Sequence, residues 1–73
     1  MNAQTIPQFP LVTIHDDRGD LRGLLIGRDP VRGECLVAVT RKDAPAWFQG
    51  AHTSPAPHVW AKAERVVFEP RSN

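Results

Sequence analysis

Several features that stabilise or activate small proteins are scarce in this chain of 73 residues. It has a single cysteine, Cys35, so no internal disulfide can form. A lone thiol at the start of an apolar run reads as a small packed hydrophobe and suits a reducing compartment. There is no tyrosine, and the aromatic residues are two tryptophans and three phenylalanines. No apolar run approaches the ~18 residues needed to span a bilayer. The opening segment Met-Asn-Ala-Gln-Thr-Ile-Pro-Gln-Phe-Pro has neither a basic start nor a long apolar core. The expectation is therefore a soluble, cytoplasmic protein with no membrane partner.

Charge of one sign is also lacking. The formal net charge is +1. Between positions 16 and 42, Arg18, Arg22, Arg28, Arg32, Arg41 and Lys42 alternate with Asp16, Asp17, Asp20, Asp29 and Glu34. Nucleic-acid binders more often carry a clear basic stripe. The histidines, His15, His52 and His58, fall in no C-x-x-C or H-x-x-x-H spacing, so no metal or cofactor is expected. His15 and Cys35 lie on strands that can neighbour each other, but a packed cysteine is inert, and no catalytic residue is assigned. The excess of arginine over lysine, with abundant alanine and proline, fits a GC-rich bacterial, phage or plasmid genome.

What the sequence does have is short apolar runs divided by turn residues. Leu11 to Ile14, Leu21 to Ile26 and Cys35 to Val39 are separated by Asp16-Asp17-Arg18-Gly19-Asp20 and by Arg28-Asp29-Pro30-Val31-Arg32-Gly33-Glu34. This pattern predicts antiparallel strands over Leu11–Asp16, Leu21–Arg28 and Glu34–Thr40. Gly19 supplies a positive φ in the first turn, so Arg18-Gly19-Asp20 reads as a hairpin rather than a recognition tripeptide. Gly23 and Gly27 inside the second strand predict a bulge or sharp bend. Arg41 to His58, with three prolines, Gly50 and Trp47-Phe48, reads as a long irregular loop. Val59–Ala61 reads as a fourth strand, Ala63-Glu64-Arg65 as a 3₁₀ turn and Val66–Phe68 as a fifth strand. A short helix over Ala61–Val67 is the rival for this last part. Residues 1–10 read as a flexible arm with Phe9 tucked against the body, residues 11–69 as a single domain, and residues 70–73 as a frayed tail.

A bent, glycine-containing second strand, a short third strand, one long loop, then strand, 3₁₀ turn and strand resembles the layout of SH3-like small β-barrels over Leu11–Glu69. The resemblance implies an all-β, five-stranded barrel. The closing run His58-Val-Trp-Ala-Lys-Ala-Glu-Arg-Val-Val-Phe68 also looks like that of the type II dihydrofolate reductases, which are SH3-like tetramers. Where those enzymes have Val-Gln-Ile-Tyr, this chain has Val59-Trp60-Ala61-Lys62, so the activity does not carry over.

The candidate site is the 41–58 loop. Trp47 and Phe48 are adjacent large aromatics, and tryptophan is enriched at binding hot spots. Either one of them faces a partner, with Trp47 the better candidate, or both rings cap the open end of the barrel. Arg41 and Lys42 would form the rim. Trp60 and Phe68, in strands, read first as core, with an aromatic patch for stacking bases or a proline-rich peptide as the functional alternative. Arg28, Arg32, Arg41 and Lys42 flank the third strand and either gather at one end to meet phosphate or, the stronger reading with Asp29, Glu34 and Asp43 in the same segments, form a solvated mixed face. The reading is a non-catalytic binding module, a phage, plasmid or bacterial accessory protein docking on a protein partner. Nucleic-acid binding is the alternative, followed by an enzyme whose site forms between subunits of a homo-oligomer.

Overall fold

The second strand organises the chain, because it is long enough to pair along one half with the strand before it and along the other with the strand after it. The computed structural model describes residues 8–70. The strands are β1 (Leu11–Asp16), β2 (Gly19–Asp29), β3 (Glu34–Val39), β4 (His58–Lys62) and β5 (Val66–Phe68). They form one antiparallel sheet in the order β4-β3-β2-β1-β5. The all-β expectation holds. No helix is long and apolar enough to cross a membrane among the described residues. The arm and tail expectations for residues 1–7 and 71–73 lie outside the described residues.

The bend falls where the glycines stand. The β2–β3 register shifts between Leu25 and Gly27, leaving Ile26 as the extra residue of a bulge. Gly23 is required by close approach. A Cβ there would sit 2.2 Å from the Ala38 carbonyl oxygen and 2.8 Å from its carbon. Gly19 and Gly33 adopt positive φ in the two hairpin turns.

Side chains alternate as the pleat dictates. Val12 and Ile14 of β1, Leu21 and Leu25 of β2, and Cys35, Val37 and Val39 of β3 point inward and form one buried cluster. Ile14 of β1 and Val59 of β4 wall a common cleft. In a flat sheet they would lie three strand spacings apart, about 14 Å at ~4.8 Å per spacing, so the sheet coils around its core. It does not close. β4 pairs only with β3 and β5 only with β1, so barrel closure by hydrogen bonds is absent among the described residues. The 3₁₀ turn Ala63–Arg65 carries the chain from β4 to β5, and the Ala63 N–H donates to the Gly33 carbonyl at 2.9 Å. The rival helix over Ala61–Val67 is not formed.

The segment read as a loop is structured. It contains a 3₁₀ turn over Arg41–Asp43 and a helix, α1 (Ala46–Ala51), which starts after Pro45. Proline suits a helix start because its missing N–H needs no partner there. Helix α1 brings Phe48, only 2% exposed, into the strand cluster.

Beside the exit of β5, the Arg22 guanidinium donates twice to Glu69, at 2.7 Å to each carboxylate oxygen, and the Thr13 hydroxyl donates to Oε2 at 2.7 Å. This ties the end of the described chain to β1 and β2. The bidentate Arg22 pair, with help from Thr13, pulls the Glu69 carboxyl down from its ordinary 4.5 to about 2.

Gly23→Ala forces a methyl into backbone that cannot yield, so it should cost about 3 kcal/mol or more, at the top of the overpacking range. A thermal melt of the variant showing wild-type stability would refute the close approach. Because Glu69 has a lower pKa folded than unfolded, its contribution is full above pH 4.5 and fades as pH falls from 4.5 through 2. Urea denaturation of wild type and Glu69→Gln across that window should give curves that converge at the acid end.

Candidate binding cleft

The gap left by the unclosed sheet is a cleft of about 680 Å³. That volume lies in the ~300–1,000 Å³ range of ligand sites. One wall is β4, which contributes Val59, Trp60, Ala61 and Lys62 consecutively. Alternate residues of a strand face opposite sides, so four in a row mean that the cleft runs along the strand's edge. The opposite wall is the β1–β2 turn with Asp16, Asp17 and Arg18, joined by Arg65 of the second 3₁₀ turn. Helix α1 closes one end with Trp47, Phe48 and Ala51.

Trp47 is fixed on three sides. Its indole N–H donates to the Arg18 carbonyl at 3.0 Å, and the Arg18 guanidinium lies 4.0 Å from the ring centroid. Its ring meets Phe48 edge-on, with centroids 5.8 Å apart. The turn fits closely against it, since a Cβ on Gly19 would come within 3.6 Å of the indole nitrogen and 3.3 Å of Pro45. Trp47 is half-buried, with the remainder of the ring available to the cleft. Arg18 reaches Trp47 because Asp16 holds it: the Arg18 backbone N–H and Nε donate to Asp16 Oδ1 at 2.9 and 3.1 Å. Those bonds lower the Asp16 pKa. Across the cleft mouth, Arg65 Nη1 donates to the His15 carbonyl and to Asp17 Oδ1, both at 3.0 Å. The Asp17 bond raises the Arg65 pKa.

Several sequence expectations are corrected here. Phe48 is core, not a partner anchor, because the helix turns its ring into the strand cluster, where it also stacks on His52 with centroids 4.2 Å apart. Arg41 is not a rim cation. Its guanidinium donates to the Gln49 carbonyl at 2.8 and 3.2 Å and to the His52 carbonyl at 2.6 Å, which satisfies carbonyls at the end of α1. Lys42 is exposed and lies outside the cleft walls. The four basic residues do not gather at one end. Arg28 and Arg32 stand at one end of β3 and Arg41 and Lys42 at the other, about 20 Å apart along six residues of strand. Arg32 also faces Glu34 at 3.7 Å.

Trp60 is not core but 53% exposed, and Phe68 is 49% exposed. Both belong to edge strands, which lack a neighbour on one side. The bulge at Ile26 shifts the alternation so that Arg28 stands opposite inward-facing Cys35, and its guanidinium lies 5.7 Å from the Phe68 ring centroid. Phe9 is also half exposed rather than tucked in. His15 and Cys35 do not meet: Cys35 is buried, while His15 is exposed and sits 3.0 Å from Asp20.

Sequence reasoning missed Lys62, Arg18 and Arg65 as cleft residues, and ranked core packing above a binding patch for Trp60. The signal for Trp60 was the placement of its strand at the end of the sheet, which leaves one edge bare. No family model, no curated protein and no solved structure matches this chain.

The two aromatic neighbours should respond differently to truncation. Phe48→Ala removes a fully buried ring and should cost about 3–5 kcal/mol. At roughly 0.05–0.15 kcal/mol per residue, a domain of this length has only about 4–11 kcal/mol in all. Trp47→Ala keeps the core and should remain folded. Circular dichroism melts of both variants check the contrast, and equal losses would refute it.

Proposed function

We propose that this protein is a non-catalytic binding module that docks on a protein partner through the cleft beside α1. The anchors are Trp47 and Trp60, with Arg18, Lys62 and Arg65 around them. The single observation that supports the reading best is an open, mostly apolar-walled cleft with half-buried Trp47 at one end and, along one wall, the edge of β4, on which Trp60 is 53% exposed. Tryptophan buries a large rigid surface at little entropic cost, which is why it recurs at interface hot spots. A small domain whose core is already filled has no packing need to leave such a ring half in water. The composition fits a cytoplasmic accessory protein of a bacterium, phage or plasmid. Protein recognition is favoured over phosphate recognition because Arg28 and Arg32 are separated from Arg41 and Lys42 by the length of β3, Arg41 is taken up by α1, and in the cleft itself Arg18 and Arg65 are paired with Asp16 and Asp17.

The test is affinity capture from the lysate of the encoding organism, with wild type, Trp47→Ala and Trp60→Ala as baits and nuclease-treated and untreated arms. The expected outcome is a protein that binds wild type, survives nuclease, and is bound about thirtyfold more weakly by either folded variant, matching a hot-spot loss of ~2 kcal/mol. Capture that disappears with nuclease would replace this reading with nucleic-acid binding. Capture unchanged by both substitutions would move the interface away from the cleft.

A further inference from the structure

The proposal concerns how the cleft holds its occupant, and it rests on the binding reading above. In an antiparallel pair, residues directly opposite alternate between those that exchange backbone hydrogen bonds and those whose N–H and C=O point away. Two bonds fix the phase here. The Val39 N–H donates to the Pro57 carbonyl at 2.9 Å, and the Ala63 N–H donates to the Gly33 carbonyl at 2.9 Å. Counting inward from both ends, Val37–Val59 and Cys35–Ala61 are the bonded pairs. Leu36–Trp60 and Glu34–Lys62 are the non-bonded ones. The N–H and C=O of Trp60 and the N–H of Lys62 therefore point away from β3, along the edge that walls the cleft. No other bond to these groups occurs among the described residues.

The cleft thus offers a row of unused backbone donors and acceptors beside an apolar wall. It also carries an unmatched charge. Arg18 is paired with Asp16 and Arg65 with Asp17, whereas Lys62 makes no ion pair within 4.0 Å among the described residues, the Glu34 opposite it facing Arg32 at 3.7 Å. A small molecule would use the apolar wall but not the periodic backbone row. An extended peptide uses both, and an acidic side chain in it answers Lys62. The five residues of β4 run for about 17 Å, at ~3.3 Å per residue, the length of a five-residue strand.

We propose that the cleft takes an extended, proline-free segment of a partner protein as an added strand on β4, with apolar side chains toward Trp47 and an acidic residue near Lys62. The backbone hydrogen bonds give affinity, and the alternating side chains give specificity.

The residue that tests this is Lys62. Its φ of −59° and ψ of 134° already suit proline, and the residue before it is in a strand, as proline demands. Lys62→Pro removes an edge N–H and the charge without touching a bond to β3. Lys62→Ala removes the charge alone. The probe is a displayed library of random 12-residue peptides, panned on the wild-type protein, followed by synthesis of a selected sequence. The expected sequences alternate apolar and polar residues, include an acid and exclude proline from the paired stretch. Binding measured by calorimetry should weaken about five- to tenfold more for Lys62→Pro than for Lys62→Ala, the loss expected for one hydrogen bond. The amide protons of Trp60 and Lys62 should become protected from exchange in the complex. N-methylation of the peptide at alternate residues should abolish binding in one register only, a readout independent of whether Lys62→Pro folds.

Equal affinity for Lys62→Pro and Lys62→Ala, with Trp60 and Lys62 amides exchanging freely in the complex, would overturn strand addition. If Trp47→Ala still abolished binding, the binding-module reading would stand. Selection of proline-rich peptides would overturn strand addition in the same way. Selection of nothing, or concentration-dependent dimerisation through β4 in sedimentation, would overturn a partner peptide as the occupant.

Discussion

The structure depends on the insertion of Phe48 into the concave side of a sheet that coils without closing. Five short strands bend around Val12, Val37 and Val39 but leave a gap between the edge of β4 and the far end of β1. A gap in so small a core would expose much of the apolar surface on which stability rests. Helix α1 fills it with one ring. Everything around α1 can be read as holding that ring in place: Pro45 starts the helix, Arg41 satisfies carbonyls at its end, and Gln49 Nε2 donates to the Ala44 carbonyl at 2.8 Å. The cleft is what remains of the gap after Phe48 has taken the deeper part, so the fold and the candidate site share one cause.

The strand layout was legible in the sequence because it is written locally. Alternating Val, Ile and Leu in β1 and β3, Gly19 and Gly33 in the turns, and Gly23 near the bend each act through their own backbone or nearest neighbours. The strand bounds differ from the expected ones by at most two residues at either end. Helix α1 was not legible. Six residues complete less than two turns, too few to establish a period, and their flanking prolines and glycine imitate a loop.

The site was less legible than the fold for a related reason. Burial of a strand residue depends on what covers its strand, which the residue itself does not encode. Trp60 and Phe68 have the composition of core, yet they stand on the outer strands of the sheet. Arg41 has the composition of a surface cation, yet α1 turns its carbonyls toward it. Arg28 is switched to the concave side by a bulge one residue long. In each case the deciding partner is remote in sequence, and no local pattern names it.

The unequal lengths of the two outer strands bear on how copies of this protein can assemble. Growth of a fibre by edge pairing needs two usable edges per molecule, one to receive the previous copy and one to present to the next. Here the β5 edge is three residues long, followed closely by Pro70, with its exit fastened by Glu69 to Arg22. Only the β4 edge is long and lies in a cleft. A molecule with one long edge is a chain terminator: whatever pairs with it ends the sequence of pairings at one interface, so the strand addition proposed for β4 does not by itself lead to a polymer.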